Sequence, residues 1–157
     1  MPEVFTIHEL EQGSERLFEV KNEEESRLFA SNFILLLKAG DAVAFYGELG
    51  AGKTAMVRAM AEGLGYKGFV NSPTFTLLNI YEATTFELYH FDFYRIDYEE
   101  EAVDIGFEEY IQNEGICFIE WPERVHNLLP VNRYEIHLEV PDYINQPTAR
   151  LIRLRRY

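Results

Sequence analysis

A chain of 157 residues, 47% hydrophobic and 26% charged, has room for one domain with its own core, and a single domain over residues 1–157 is expected. A net charge of −13 argues against tight gripping of a nucleic-acid backbone, direct DNA binding included, but leaves docking to a basic protein surface open. The apolar run at residues 33–37 is too short to span a bilayer, Cys117 has no partner for an internal disulfide, and Met1-Pro2-Glu3-Val4 opens no signal peptide, so no membrane association and a cytoplasmic location are expected.

Residues 1–21 hold two strand-like runs, Val4-Phe5-Thr6-Ile7 and Leu17-Phe18-Glu19-Val20, around a turn at Gly13-Ser14. Asn22 is a good N-cap, and Glu25 comes close to completing a capping box. Phe29, Phe33, Leu36 and Leu37 give the apolar stripe of a helix expected to stop near Ala39-Gly40. The acids that open it, Glu23 among them, read either as helix-start residues favoured by the dipole or as groups approaching a nucleotide base.

Ala42-Val43-Ala44-Phe45-Tyr46 reads as a buried strand, and Gly47-Glu48-Leu49-Gly50-Ala51-Gly52-Lys53-Thr54 follows it directly. The octapeptide fits G-x-x-x-x-G-K-[ST], the phosphate-binding P-loop. Its glycines let backbone N–H groups turn inward where a side chain would block a phosphate. Lys53 suits the β- and γ-phosphates and the Thr54 hydroxyl suits Mg²⁺. Leu49, Gly50, Ala51, Gly52, Lys53 and Thr54 are thus the expected nucleotide-binding residues. Val57, Met60, Ala61 and Leu64 keep helical spacing, so a helix dipole reinforces the anion site. An ordinary glycine turn would need neither the strand before nor the helix after. The chain is expected to bind a nucleoside triphosphate.

After Gly63-Leu64-Gly65 comes Asn71-Ser72-Pro73-Thr74-Phe75-Thr76, a hydroxyl-rich loop that reads equally as a γ-phosphate switch or as a plain lead into a strand at residues 75–78. Residues 77–81 and 86–93 form a hairpin pattern joined by Glu82-Ala83-Thr84-Thr85. Asp92 lies in the second run, where burial requires a cation or a donor, and near a P-loop the obvious cation is Mg²⁺ or its ordered water. His90, with no second His or Cys beside it, reads as a packing or hydrogen-bonding residue. The acids from Asp97 to Glu109 read as one or two short helices with a solvated face, a docking surface being the sharper alternative. Ile116-Cys117-Phe118-Ile119-Glu120-Trp121 is a buried strand ending in a carboxylate, the form in which a strand beside the P-loop brings an acid to the metal. Pro122 opens a short helix ending near Leu129-Pro130. Residues 134–140 alternate as a half-buried antiparallel strand, and residues 149–157 return as a last strand whose arginines are expected to face Glu135 and Glu139. These elements make one α/β domain with a mixed sheet and flanking helices.

Four blocks occur together: the P-loop, Ser72-Pro73-Thr74-Phe75-Thr76-Leu77, His90-Phe91-Asp92-Phe93-Tyr94-Arg95, and Glu120-Trp121-Pro122. Their order and spacing resemble the TsaE (YjeE) family, the small ATPase of bacterial tRNA threonylcarbamoyladenosine (t6A) biosynthesis, over about residues 22–140. The resemblance implies a P-loop NTPase-like three-layer α/β fold with a mixed, partly antiparallel sheet. It implies ATP and Mg²⁺ as ligands, and the TsaB and TsaD proteins as partners, with tRNA reached only indirectly. It carries over Lys53 as the phosphate lysine, Thr54 and Glu120 as metal-coordinating positions, Asp92 as a functional acid, and Trp121 as the aromatic beside the metal acid. Lys53, Asp92 and Glu120 make up the expected catalytic set. Thr74 and Thr76 fall in the switch-like loop, and Glu23 aligns by distance with a residue near the nucleotide. Ala55 departs from the pattern, since family members commonly carry a hydroxyl there. A small-molecule kinase lacks an arginine-rich lid segment here, and a GTPase lacks Asn-Lys-x-Asp. A nucleotide-gated docking module differs from an ATPase only in the absence of turnover.

Overall fold

In the computed structural model, which describes Ile7 and residues 10–157, the chain runs β1 (Glu15–Val20), α1 (Glu23–Phe33), β2 (Ala42–Tyr46), α2 (Lys53–Gly63), β3 (Leu78–Glu82) and β4 (Glu87–Asp92). It continues through α3 (Glu100–Asp104), α4 (Phe107–Ile111), β5 (Ile116–Glu120), β6 (Tyr134–Glu139) and β7 (Arg150–Arg156), with 3₁₀ turns at Ile34–Leu36 and Pro122–Leu128. Val4, Phe5 and Thr6 of the first expected strand lie outside the described residues.

The strands form one sheet in the order β1-β7-β6-β2-β5-β4-β3. The four central strands, β6, β2, β5 and β4, run parallel, whereas β7, β1 and β3 join antiparallel at the flanks. Side chains alternate across the central strands, as the pleat requires. Val43, Phe45 and Phe118 face a core shared with Phe29, Phe33, Val57 and Met60 of α1 and α2. Ala42, Cys117 and Ile119 face the other core, shared with Phe107 of α4 and Phe91, Phe93 and Val125. Two helical layers thus enclose a mixed sheet, the three-layer α/β arrangement expected. Each fully buried phenylalanine contributes about 1.5–3 kcal/mol to holding the layers together.

Three expectations need correction. The first helix is α-helical only to Phe33, then tightens into the 3₁₀ turn, the usual way for a helix end to satisfy its last carbonyls. No strand begins at Phe75: residues 74–76 form a turn, Leu77 has φ +67°, and its N–H bonds the Pro73 carbonyl, so β3 starts only at Leu78. β6 is antiparallel on one side only, because it also pairs in parallel with β2.

That double pairing buries Glu135 to 4% exposure, and its partners are not the terminal arginines. Arg133 reaches it at 2.7 Å and His137 at 3.2 Å, while Arg153 pairs with Glu15 at 2.7 Å. Burial alone works against the Glu135 charge, but hydrogen bonds from His137 and Arg133 and the Arg133 charge outweigh it and hold its pKa below the usual carboxylate value. A depressed carboxylate pKa contributes stability that is full above the unfolded-state value and is lost as pH falls through the folded-state value. Urea unfolding of Glu135→Gln between pH 3 and pH 7 should therefore give a flatter stability profile than the parent, with the larger loss near neutrality. Parallel profiles would contradict the stabilised carboxylate.

Candidate functional site

The parallel pairing of β2, β5 and β4 brings three carboxyl ends side by side. β2 runs into the loop at residues 47–54, β5 ends in Glu120, and β4 ends in Asp92, which stands opposite Glu120 in register. Such ends are where an open α/β sheet leaves its crevice.

Local backbone chemistry shapes the loop. Gly47 has φ +154°, and a Cβ there would sit 2.8 Å from the Leu138 carbonyl oxygen, so no larger residue fits. Gly52 has φ +102° and caps α2 without a side-chain hydrogen bond, leaving the first-turn N–H groups to an incoming acceptor. Lys53 is 6% exposed, and its Nζ donates to the carbonyls of Gly47 and, at 3.2 Å, Glu48. The same ammonium lies 3.9 Å from the centre of the Trp121 ring. Burial lowers the Lys53 pKa, while the charges of Glu120, Glu123 and Asp92 pull it back up. Trp121 reaches this place because its φ of +57° turns the chain sharply after Glu120.

Glu120 is 2% exposed and fully engaged. The Thr54 hydroxyl lies 2.9 Å from each of its oxygens, and His90 Nε2 lies 2.6 Å from Oε2. His90 is wholly buried, and its Nδ1 is 2.9 Å from the Tyr81 hydroxyl. The imidazole therefore bridges the Tyr81 hydroxyl and the Glu120 carboxyl group through its two ring nitrogens. Tyr81 also lies 3.2 Å from the Asn71 carbonyl, at the head of the hydroxyl-rich loop.

Asp92 is held separately. Its Oδ2 accepts from Ser72 at 2.7 Å and Thr74 at 3.1 Å, and its Oδ1 accepts from the Tyr94 N–H at 3.0 Å. Thr76 points elsewhere, toward Asn79. An open cleft of about 230 Å³ gathers Lys53, Thr54, Ser72, Asp92, Glu120 and Trp121, with Leu49, Gly50 and Gly52 on its rim. A second cleft, of about 250 Å³, lies on the other side of the loop, lined by Glu23, Ala51, Ala55, Arg58, Leu138 and Arg150. Glu23 therefore stands apart from the acids, and Leu49 is 71% exposed at the loop tip. Sequence reasoning reached neither Tyr81 nor Arg150. Tyr81 is one of several aromatics in a hairpin, and Arg150 comes from a distant strand.

Among the described residues no three His, Cys, Asp or Glu side chains form a closed metal cage. Thr54 and Glu120 supply two hard oxygen ligands, a set that suits a cation completing its shell with phosphate oxygens and water.

The profile of the threonylcarbamoyl adenosine biosynthesis protein TsaE family matches residues 20–148. The chain is similar to the tRNA threonylcarbamoyladenosine biosynthesis protein TsaE of Bacillus subtilis (strain 168), 41% identical over 115 residues, 73% of this chain and 72% of that protein. The protein of the same name from Treponema pallidum is 45% identical over 105 residues, covering 67% of this chain and 77% of that one. A crystal structure of Bacillus subtilis YdiB superposes with a TM-score of 0.75 at 29% identity, over 92% of this chain and 87% of that one.

The His90 and Tyr81 bonds generate a stability test. His90→Ala removes a hydrogen bond to a buried carboxylate and opens a cavity, at a cost of about 3 kcal/mol. Tyr81→Phe removes one hydroxyl at the far end and should cost about 1 kcal/mol. Denaturant unfolding measures both, and a costless His90→Ala would remove it as the anchor of Glu120.

Proposed function

The chain belongs to the TsaE family, and from that premise we propose that it is a Mg²⁺-dependent ATPase, weak alone, that serves tRNA t6A modification by acting through a TsaB–TsaD pair. Its place in tRNA threonylcarbamoyladenosine biosynthesis follows from membership. The finer reading rests on one observation: the Thr54 hydroxyl and the Glu120 carboxylate are 2.9 Å apart at the first turn of α2, beside Lys53.

Mg²⁺ would be held by Thr54 and Glu120, where it would supply charge neutralisation for bound phosphate. Lys53 exchanges the Gly47 and Glu48 carbonyls for phosphate oxygens, so its donors are already gathered at the site before ATP arrives. The Gly52-led N–H groups of α2 cradle the phosphates, and the second cleft, with Glu23, takes the nucleoside. Asp92 orients the attacking water once Ser72 and Thr74 give up its Oδ2, which makes their loop the part that differs between nucleotide states. A partner that prefers one loop state binds more tightly to the nucleotide state that favours it, and the coupling is reciprocal.

Lys53→Ala should weaken nucleotide binding or turnover by about 2–4 kcal/mol with the fold intact, read by titrating a fluorescent ATP analogue. Unchanged affinity and turnover would take Lys53 out of its role. Glu120→Ala should blunt the Mg²⁺ dependence of binding, whereas Asp92→Ala should chiefly slow hydrolysis; identical Mg²⁺ titrations for parent and Glu120→Ala would argue against that division. With TsaB, TsaD and tRNA, t6A formation over many turnovers should require this chain and ATP, and should fail with Lys53→Ala or Asp92→Ala. Modification that proceeds equally well without the chain, or rapid phosphorylation of a small metabolite by the chain alone, would overturn the reading.

A further inference from the structure

Arg150 opens β7, just past the residues matched by the family profile. Its guanidinium does not face the acids of β6. Nε donates to the Ala51 carbonyl at 2.7 Å, inside the phosphate loop. Nη1 donates to the carbonyls of Pro147 and Ala149 at 2.7 and 2.8 Å. These bonds tie the P-loop to the start of the last strand through one planar head group, a task that suits the rigid fork of arginine and not the single ammonium of lysine. All the bonded partners are carbonyls, so none of them cancels the positive charge.

In a trans peptide the carbonyl and the following N–H point in opposite directions. Holding the Ala51 carbonyl toward Arg150 therefore turns the Gly52 N–H away from it. Gly52, like Ala55, lines both clefts, and its φ of +102° is a conformation that a side-chain-bearing residue resists. A Cβ on Gly52 would lie 3.6 Å from Arg150 Nε, an ordinary contact distance, so the guanidinium packs directly beside this residue.

We infer that Arg150 is a positioning residue for the phosphate loop, fixing the Ala51–Gly52 peptide so that the Gly52 amide is preset as an anion donor. The inference rests on the nucleotide-binding reading for its purpose, but its first consequence concerns the loop without any ligand. The assignment also gives the arginine-rich end of the chain a place in the site, through Arg150 alone.

The test uses the ¹⁵N-labelled full chain as parent, Arg150→Ala, Arg150→Lys and Arg153→Ala. Arg153 lies on the same strand but pairs with Glu15, and so controls for loss of a strand arginine. Without nucleotide, the Gly52 amide resonance should move in both Arg150 variants and stay in place in Arg153→Ala. ADP affinity, measured by calorimetry, should fall about tenfold in Arg150→Ala, less in Arg150→Lys, and not in Arg153→Ala. An unmoved Gly52 amide overturns the inference, including the case in which affinity falls only in step with the melting temperature. If Arg150→Ala does not fold, Arg150→Lys decides by the same criterion. A parent that binds no ADP or ATP removes the proposed function, while a shifted Gly52 amide in its Arg150 variants still supports the loop-setting role.

Discussion

A carboxylate at the end of a central strand is the constraint around which this molecule is built. Glu120 is 2% exposed, and an unpaired charge at that depth would be costly enough to disfavour the fold. Thr54 meets it from α2 and His90 meets it from β4, so a helix on the sheet and a strand beside β5 are both held to its last residue. The acid and its two partners come from three separate stretches of chain. They meet only when β2, β5 and β4 pair in parallel register, and a one-residue slip in β4 would turn His90 to the other face.

The same constraint organises what lies above the sheet. Turning the chain immediately after Glu120 places Trp121 over Lys53, and Tyr94 packs on Trp121 with ring centres 4.8 Å apart. Asp92, one strand over, draws Ser72 and Thr74 down onto its own oxygen. The hydroxyl-rich loop is thereby tied to the site at two points, by side chain at Asp92 and by backbone at Tyr81. The side chains of Lys53, Thr54, Ser72, Thr74, Asp92 and Glu120 all have partners within the protein.

Much of this was legible in the residue pattern because it depends on local rules. The P-loop octapeptide carries its own geometry, the Asn22 cap bonds the Glu25 N–H at 2.9 Å as its spacing implies, and the apolar runs of β2 and β5 are buried throughout or nearly so. Four blocks in order sufficed for the resemblance to a family, which the match over residues 20–148 bears out. Local rules also misled where a long-range bond overrode them. Phe75 looked like the start of a strand, yet the pull of Asp92 on Ser72 and Thr74 bends that segment into an exposed turn.

What the sequence determined by itself is the identity of the groups: a lysine and a threonine after a glycine loop, and an acid at the end of each of two strands. What only the tertiary structure decided is which of them touch. Glu120, rather than Asp92, took the Thr54 hydroxyl because β5 lies next to β2 and β4 lies one strand further out. His90 and Tyr81 became partners because β3 and β4 pair antiparallel with Asn79 opposite His90, which brings Tyr81, two residues on along the same face, within reach. Arg150 reached the phosphate loop because the β6–β7 register sets Arg155 opposite Glu135 and Leu151 opposite Glu139, which leaves Arg150 at the far end of the strand from Glu135, beside the loop that follows β2. Strand order and register carry no mark in any one strand's own residues, since they are fixed by how all seven bury their faces together.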